Sequence, residues 1–304
     1  MTKSCNNPIA RRIIQAASAG GRIRLIVDVT PLYGDLKLFT VSIAYRRRAV
    51  PLVWKVIDKA GTTDAVTQIE LLEHLIPLIP KGVEVVIIGD GEFRSTELVG
   101  WLYTKKWHYR LRVAKDTYIR DKYGEWVQLQ ALGLSKGETL FLQGIFLTKD
   151  DPTGPVNLAM TWNRGEDEPW YIVTDQTANW GTLTDYKVRM WIEEMHADLK
   201  GNGLHLDQTH LHDPFRISRL FLAVSILYVW LMHTGSWSDF AINYCQSLFM
   251  ECIICVNLVH LFYFFKKSII EKLCKMSHNP IIQLMEKSRY HLYFNGYHLY
   301  SGVS

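Results

Sequence analysis

The sequence has little of what marks secreted, disulfide-rich proteins. Five cysteines occur in 304 residues, and the opening stretch MTKSCNNPIARR contains no apolar run of the kind found in a secretion signal. An odd number of cysteines without such a signal is typical of proteins in a reducing compartment. We therefore expect a cytoplasmic protein without structural disulfides.

The sequence also carries little net charge. Its 34 basic and 30 acidic residues leave a formal charge of +4, so the overall charge permits a nucleic-acid partner without requiring one. Internal repeats and low-complexity tracts are absent from the sequence as well. With 48% apolar and 21% charged residues, the composition is that of a packed globular protein with one large domain or two small ones.

The first third of the chain shows alternating strand and helix patterns. Three β-rich runs come first, a helical pattern follows at 62–79, and strand, helix and strand patterns then continue to residue 114. The predicted order is therefore βββαβαβ. Asp28 lies inside the first strand, RLIVDVT. Asp90 ends the fourth, EVVIIGD, whose continuous apolar run indicates burial on both faces.

The segment 115–175 has a different pattern. Short β-like runs such as TLFLQGIFL and VNLAMTW are separated by Gly, Pro and Asp, which predicts an all-β insertion rather than a linker. Helical spacing returns from about Thr184 to Lys200. After a polar turn, the apolar pattern FRISRLFLAVSILYVWLM predicts one more helix.

The composition changes again beyond residue 235. Ile, Phe, Tyr, Cys, Asn and Lys become frequent, and residues 248–265 form a nearly continuous apolar run. That run has the length of a membrane span, which leaves open a membrane-associated product, but Glu251, Asn257 and His260 inside it would be costly in lipid. We expect no stable membrane association.

The stretch YKVRMWIEEMHADLK, residues 186–200, reads as one helix. Because a helical residue advances about 100°, four side chains fall within roughly 60° of one another: Tyr186, Arg189, Glu193 and Lys200. Glu194 lies about 100° from Glu193 and leaves that face. The simplest alternative is a solvated face with an Arg189–Glu193 pair worth a few tenths of a kcal/mol.

Three carboxylates predict a metal site. Asp28 and Asp90 interrupt strands that are otherwise apolar, where an unpaired carboxylate is unfavourable. Together with Glu193 they make a set that would repel itself unless a divalent cation lay between its members. Such a set suits a two-metal phosphoryl-transfer site with Mg²⁺ or Mn²⁺. The helix neighbours Tyr186, Arg189 and Lys200 would then hold phosphates of the substrate.

The spacing Tyr-x2-Arg-x3-Glu-x6-Lys in this helix resembles the signature of bacterial DDE transposases of the insertion-sequence-four group. LIVDVT and VVIIGDGEF resemble the two aspartate segments of that group, and a β-rich insertion is also one of its features. The resemblance covers about residues 23–234. It implies an α/β fold with a ribonuclease-H-like mixed sheet, flanking helices and an inserted all-β subdomain.

The resemblance also implies a division of the chain. A short N-terminal remnant at 1–22 would precede the first part of the catalytic core at 23–114. The β-rich insertion at 115–175 and the helical completion of the core at 176–234 would follow, and an atypical tail at 235–304 would end the chain.

The roles implied by the resemblance are specific. Asp28, Asp90 and Glu193 would bind two Mg²⁺ or Mn²⁺ ions, and Tyr186, Arg189 and Lys200 would hold double-stranded DNA. In the group, water frees a 3′-hydroxyl at the element's end, and this hydroxyl then attacks a phosphodiester. Such proteins act as homodimers or larger assemblies on paired ends and on target DNA, in the bacterial cytoplasm near the nucleoid.

Two departures from the pattern of this group predict a truncated or frameshifted copy. Only 27 residues precede Asp28, where the group usually has a helical DNA-binding region, and the tail has the composition of a shifted reading frame. The alternative function is therefore a catalytically inactive fragment that binds DNA or an intact transposase subunit.

Smaller features leave alternatives open. Arg46, Arg47 and Arg48 fall at a predicted hairpin turn, where phosphate contact and a solvated turn are equally compatible with the sequence. Trp162 and Trp170 could stack on a base, although core packing is favoured. His196 could assist proton transfer.

Overall fold

A computed structural model gives the structure of residues 3–4, 7–58, 62–121, 123–200, 206 and 209–247. The chain divides into two compact units, Met1–Trp230 and Leu231–Ser304. The side chains discussed below belong to the first unit. The apolar run at 248–265 lies outside the described residues.

Eleven strands are described, and all belong to one sheet. They are β1 Lys3–Ser4, β2 Arg22–Pro31, β3 Leu36–Tyr45, β4 Arg48–Asp58, β5 Glu84–Gly89, β6 His108–Arg112, β7 Tyr118–Arg120, β8 Val127–Gln128, β9 Thr139–Leu147, β10 Thr153–Thr161 and β11 Trp170–Thr174. The described α-helices are α1 Asn7–Ala17, α2 Ala65–Glu73, α3 Thr96–Lys105, α4 Trp180–Lys187, α5 Met190–Lys200 and α6 Pro214–Ser247.

The centre of the sheet has the predicted order. β4, β3 and β2 form an antiparallel meander, and β2, β5 and β6 are parallel neighbours. Helix α2 connects β4 of the meander to β5, and α3 connects β5 to β6. Parallel strands need such crossover connections, whereas the meander needs only tight turns. The predicted βββαβαβ order and the mixed, ribonuclease-H-like α/β sheet with flanking helices are confirmed.

The insertion is β-rich, as predicted, and its strands extend the main sheet. β11 pairs antiparallel with β6, so β10, β9, β7 and β8 follow outward from the parallel core. The complete order is β1-β4-β3-β2-β5-β6-β11-β10-β9-β7-β8. The insertion therefore lies in the same layer as β2, β5 and β6.

The core lies on both faces of the parallel strands. Val86 and Ile88 on β5 are fully buried, and so are Leu25 and Ile26 on β2, which explains why these strands are continuously apolar. The segment expected to be a short remnant contributes to this core, because helix α1 buries Ala10 and Ile14 completely.

Helix α6 begins at Pro214 and continues past residue 235 to Ser247. Within unit 1 it packs on β4: Trp54 lies edge-on to Phe221 at 4.9 Å and donates a hydrogen bond from Nε1 to Ser218 Oγ at 3.1 Å. Among the described residues, its part Pro214–His233 is long and apolar enough to cross a membrane, by length and composition alone. Core helices of soluble proteins also meet that criterion.

Candidate active site

The sheet brings the two predicted aspartates together. β2 and β5 are parallel, and Ile26 pairs with Ile88, so residues two positions further on reach the same edge. Asp28 occupies that place on β2 and Asp90 follows the end of β5. Asp28 is buried, whereas Asp90 caps a short 3₁₀ helix by accepting a hydrogen bond from the Glu92 amide at 3.0 Å.

The prediction of one helix across 186–200 is wrong. Helix α4 ends at Lys187 and α5 begins at Met190. Between them, the amides of Val188 and Arg189 bond to the carbonyls of Asp185 and Tyr186, three residues back. These tighter bonds end one helix and start the next. The wheel that placed Tyr186 on the face of Glu193 therefore does not apply across the break.

Arg189 lies at the centre of the candidate site. Its Nη2 is 3.3 Å from Asp28 Oδ1 and 3.8 Å from Asp90 Oδ2, and its Nη1 donates to Glu193 Oε1. One guanidinium thus faces three carboxylates that come from two strands and one helix. The three predicted metal ligands converge on a single cationic position.

The electrostatics agree with this arrangement. Burial would lower the pKa of Arg189, but the acidic neighbours Tyr186, Asp28, Glu193 and Asp90 outweigh burial, and its pKa is raised above the ordinary value. The guanidinium therefore stays charged and supplies positive charge where the carboxylates need it.

The adjacent glutamates of α5 point to different partners. Glu193 faces Arg189, whereas Glu194 lies 3.2 Å from Arg48 at the start of β4. Only Glu193 belongs to the carboxylate group around Arg189.

Tyr186 reaches the site from α4. Its ring is 3% exposed and packs edge-on against Trp170, with ring centroids 5.4 Å apart, so Trp170 serves core packing as the sequence favoured. Burial raises the pKa of Tyr186 to about 12, an effect that Arg189 and Arg112 oppose. Its buried hydroxyl has no hydrogen-bond partner among the described residues. A buried donor of this kind is unfavourable unless a ligand satisfies it.

Two other predicted residues lie at the carboxyl end of β2. Lys200 Nζ donates to the Pro31 carbonyl at 2.6 Å and to the Thr30 hydroxyl. His196 Nε2 is 3.2 Å from Asp28 Oδ2. Both contacts hold α5 against the strand that carries Asp28.

Arg112 is a site neighbour that the sequence patterns did not reveal. Gly89 pairs with Leu111 on the parallel strand β6, so Arg112 ends β6 at the level of Asp90. On the other side of β6, Arg112 pairs with Ile172 of β11. Ile172 belongs to the buried cluster that contains Tyr186. The Nη2 of Arg112 lies 3.8 Å from Glu168. Its position as the last residue of a strand that runs parallel to the Asp90 strand is the signal that could have identified it.

The carboxylates suit a divalent cation by chemistry. Aspartate and glutamate oxygens are the donors that Mg²⁺ and Mn²⁺ prefer. Within the ranges that the structure describes, no group of three or more His, Cys, Asp or Glu side chains has the geometry to hold a metal ion. The guanidinium of Arg189 lies between the carboxylates, and a metal ion would have to take its place.

The comparison with protein families gives a match over most of the chain. Residues 21–230 match the family described as Transposase DDE domain. This range runs from the start of β2 into α6 and includes all six predicted site residues. No curated protein matches the chain. Since the match covers more than half of the 304 residues, the chain belongs to the family of DDE transposases, proteins that act on DNA.

Proposed function

We propose that this DDE transposase cleaves DNA at the ends of a mobile element and transfers the freed strand, as a member of the insertion-sequence-four group. One observation carries the proposal: Asp28, Asp90 and Glu193 converge from two strands and a helix on one cationic position. Such convergence is unfavourable without a cation and suits phosphoryl transfer. The reproduced Tyr-Arg-Glu-Lys spacing supports the assignment to the group.

The proposed cofactor is a pair of Mg²⁺ or Mn²⁺ ions held by Asp28, Asp90 and Glu193. When bound, such ions activate an attacking oxygen and stabilise a leaving one. The protein's own contribution is to fix the ligands: β2 and β5 hold the aspartates in register, and His196 lies against Asp28. The aspartates held in this way would keep their places when the ions bind, whereas the guanidinium of Arg189 would have to leave.

Tyr186, Arg189 and Lys200 are proposed to hold the DNA. The buried hydroxyl of Tyr186 and the Nε of Arg189 have no hydrogen-bond partner among the described residues, and a phosphate oxygen would satisfy both. Arg112 lies on the same face of the sheet as Tyr186 and is 35% exposed at its side chain. We include it as a further phosphate ligand, because guanidinium groups bind phosphate with two parallel hydrogen bonds.

Arg189 has two proposed states. It balances the carboxylates in the structure, and it would contact phosphate once metal ions supply that positive charge. The exchange links metal binding to DNA binding, because Arg189 cannot contact the carboxylates and a phosphate fully at the same time.

The partners follow from the same proposal. A single site of this kind acts on one DNA strand at a time, so a homodimer on paired double-stranded ends is proposed, in the bacterial cytoplasm at the nucleoid. We also propose no stable membrane association. Burial of Ile217, Phe221 and Tyr228 on α6 supports its role as a core helix of a globular protein.

The domain assignment is part of the proposal. Residues 23–114 and 176–234 would form the catalytic core around the insertion 115–175, with 1–22 before it and 235–304 as the atypical tail of a frameshifted copy. The unusual composition of that tail is the supporting observation.

The test is nicking of supercoiled plasmid DNA by the full chain with Mg²⁺, Mn²⁺ or EDTA. Glu193→Gln should abolish the metal-dependent nicks, whereas Glu194→Gln should retain them, because Glu194 faces Arg48 instead of Arg189. Equal loss in both variants would contradict the assignment of Glu193. DNA binding without any nicking by the wild type would favour the inactive fragment.

A further inference from the structure

The turn between β3 and β4 presents two consecutive arginines in an uncommon backbone conformation. Tyr45 pairs with Arg48, so Arg46 and Arg47 are the two central residues of the hairpin, and their φ angles are 49° and 61°. A two-residue turn of this kind requires positive φ at both positions, and Asn-Gly meets that requirement best. The chain keeps two arginines where uncharged residues would fit with less strain.

The tip, defined as Arg46 and Arg47, carries charge that is not neutralised locally. Both side chains are exposed, and among the described residues neither has an acidic partner. The guanidinium of Arg46 lies 5.3 Å from the ring centroid of Tyr45. The third arginine of the run differs, because Arg48 pairs with Glu194 at 3.2 Å. The tip is therefore available to an anionic partner, whereas Arg48 joins the hairpin to α5.

The strand register gives the distance from the tip to the candidate active site. Asp28 pairs with Thr40 on β3, and β3 then runs to Tyr45. At about 3.3 Å per residue this stretch is about 17 Å long. Phosphates of one B-DNA strand recur about every 3.4 Å along the axis, so this length corresponds to about five base pairs. Helix α5, which carries Glu193, is linked to the same hairpin through Arg48.

We propose that the tip is a second DNA contact, which binds the phosphate backbone about five base pairs from the bond that is cleaved. The inference rests on the proposed function, since it takes the cleaved phosphate to lie at Asp28. Two guanidinium groups on a short, fixed turn would contact phosphates without reading bases. The contact would set the angle at which the duplex enters the site.

The test measures binding of the full chain to a fluorescein-labelled duplex of arbitrary sequence, about 30 base pairs long, by anisotropy over a salt series. The variant Arg46→Asn/Arg47→Gly removes both charges and installs the favoured turn pair. We expect its Tm to rise by about 3 °C because the turn is relaxed. Its affinity at low salt should fall about tenfold, and the slope of log K against log salt should shrink by about 1.8.

A matched control separates a local contact from net charge. Arg11→Gln/Arg12→Gln removes the same charge from exposed positions of α1 and should keep the wild-type slope. An equal loss of slope in this control would overturn the inference, and so would a tip variant that binds as the wild type does. A hydroxyl-radical footprint of the tip variant should lose protection about five base pairs from the nick. Loss only elsewhere would overturn the proposed placement.

Parallel nicking assays keep the two proposals distinct. Metal-dependent nicking by the wild type together with an unchanged tip variant overturns the tip contact alone. A weakened tip variant without any wild-type nicking supports the contact and contradicts the proposed catalysis. A wild-type chain that binds no duplex DNA overturns both.

Discussion

Two clusters of arginine and carboxylate lie at opposite ends of the parallel strands, and their compositions are inverse. At the amino end three guanidinium groups surround the carboxylate of Asp185, which accepts hydrogen bonds from Arg22 and Arg24 at 2.8 and 2.7 Å and lies 3.5 Å from Arg110. Arg22 also pairs with Glu84 at 3.1 Å. At the carboxyl end a single guanidinium, that of Arg189, faces three carboxylates. The Asp185 cluster holds α4 against the sheet, and the Arg189 cluster holds the start of α5 against it.

The difference lies in what each cluster lacks. Asp185 and Arg110 are each 4% exposed at their side chains, and Arg110 also donates to Thr174 and Gln176. Burial lowers the pKa of Arg110, and Asp185 opposes that effect. The amino-end cluster thus has its central carboxylate paired by guanidinium groups, although the Nε of Arg110 has no hydrogen-bond partner among the described residues and the cluster lines an open cavity of about 610 Å³. The Arg189 cluster differs in the sign of its excess charge, because it has three carboxylates for one guanidinium. Such an excess of negative charge is the property of a site that binds metal ions.

Loss of the central carboxylate should have the largest effect on stability. Asp185→Ala leaves the buried guanidinium of Arg110 without its main counter-charge, and it removes a partner from the partly exposed Arg22 and Arg24. We expect the free energy of unfolding in urea to fall by about 3–5 kcal/mol. Glu194→Ala is the control, because its pair with Arg48 is exposed, and it should change stability by less than about 0.5 kcal/mol. A similar small effect for both would mean that the Asp185 cluster does not stabilise the fold.

Asp90→Asn should show the opposite pattern. Metal-dependent nicking should fall by more than about 100-fold, since even the loss of a residue that only supports a metal ligand costs 10–100-fold. Stability should change by about 1 kcal/mol or less, because Asp90 lies at an exposed strand end. Circular dichroism and urea titration check the fold. An Asp90→Asn chain that unfolds as Asp185→Ala does would remove the distinction between the clusters.

Arg189→Gln tests whether the guanidinium occupies the place of the metal. Without it, Asp28, Asp90 and Glu193 repel one another, and in EDTA we expect a loss of about 1–3 kcal/mol. Mg²⁺ should then raise the Tm of the variant more than that of the wild type, because it no longer has to displace a guanidinium. An equal Mg²⁺ effect in both proteins would argue against this exchange.

Tyr186→Phe should have the smallest effect on stability. The hydroxyl that it removes has no partner among the described residues, so the change should be neutral or stabilising, within about 1 kcal/mol. Binding to DNA should nevertheless weaken, because the hydroxyl is a proposed phosphate donor. A variant that is clearly destabilised but binds DNA normally would assign a purely structural role to Tyr186.

The same tyrosine predicts a dependence on alkaline pH. Its pKa of about 12 in the folded protein exceeds the ordinary value of about 10, so the unfolded chain releases the proton first. The contribution of Tyr186 to the free energy of unfolding is therefore fully present below pH 10 and is lost as the pH rises towards 12. Tyr186→Phe should reduce this fall, and Tyr228→Phe should do so too, because the pKa of Tyr228 is also about 12. Identical pH profiles for variants and wild type would contradict both shifts.

Local patterns were sufficient for most of the fold. The apolar runs of β2 and β5 and the helical spacing of α2 and α3 predicted the order of elements correctly, because each pattern lies within a few neighbouring residues. The break between α4 and α5 was not predicted, because neither Val188 nor Arg189 is a glycine or proline that would mark a turn.

By itself the sequence determined the βββαβαβ order, the β-rich insertion and the candidate carboxylates, since periodicity and spacing are properties of adjacent residues. Only the tertiary structure decided three contacts. Arg189 lies among those carboxylates, Arg112 lies at the edge of the sheet where Asp90 is, and Asp185 pairs with three arginines in a separate cluster. These relations depend on the register between strands and helices far apart in the chain, and that register is set by packing of the whole sheet.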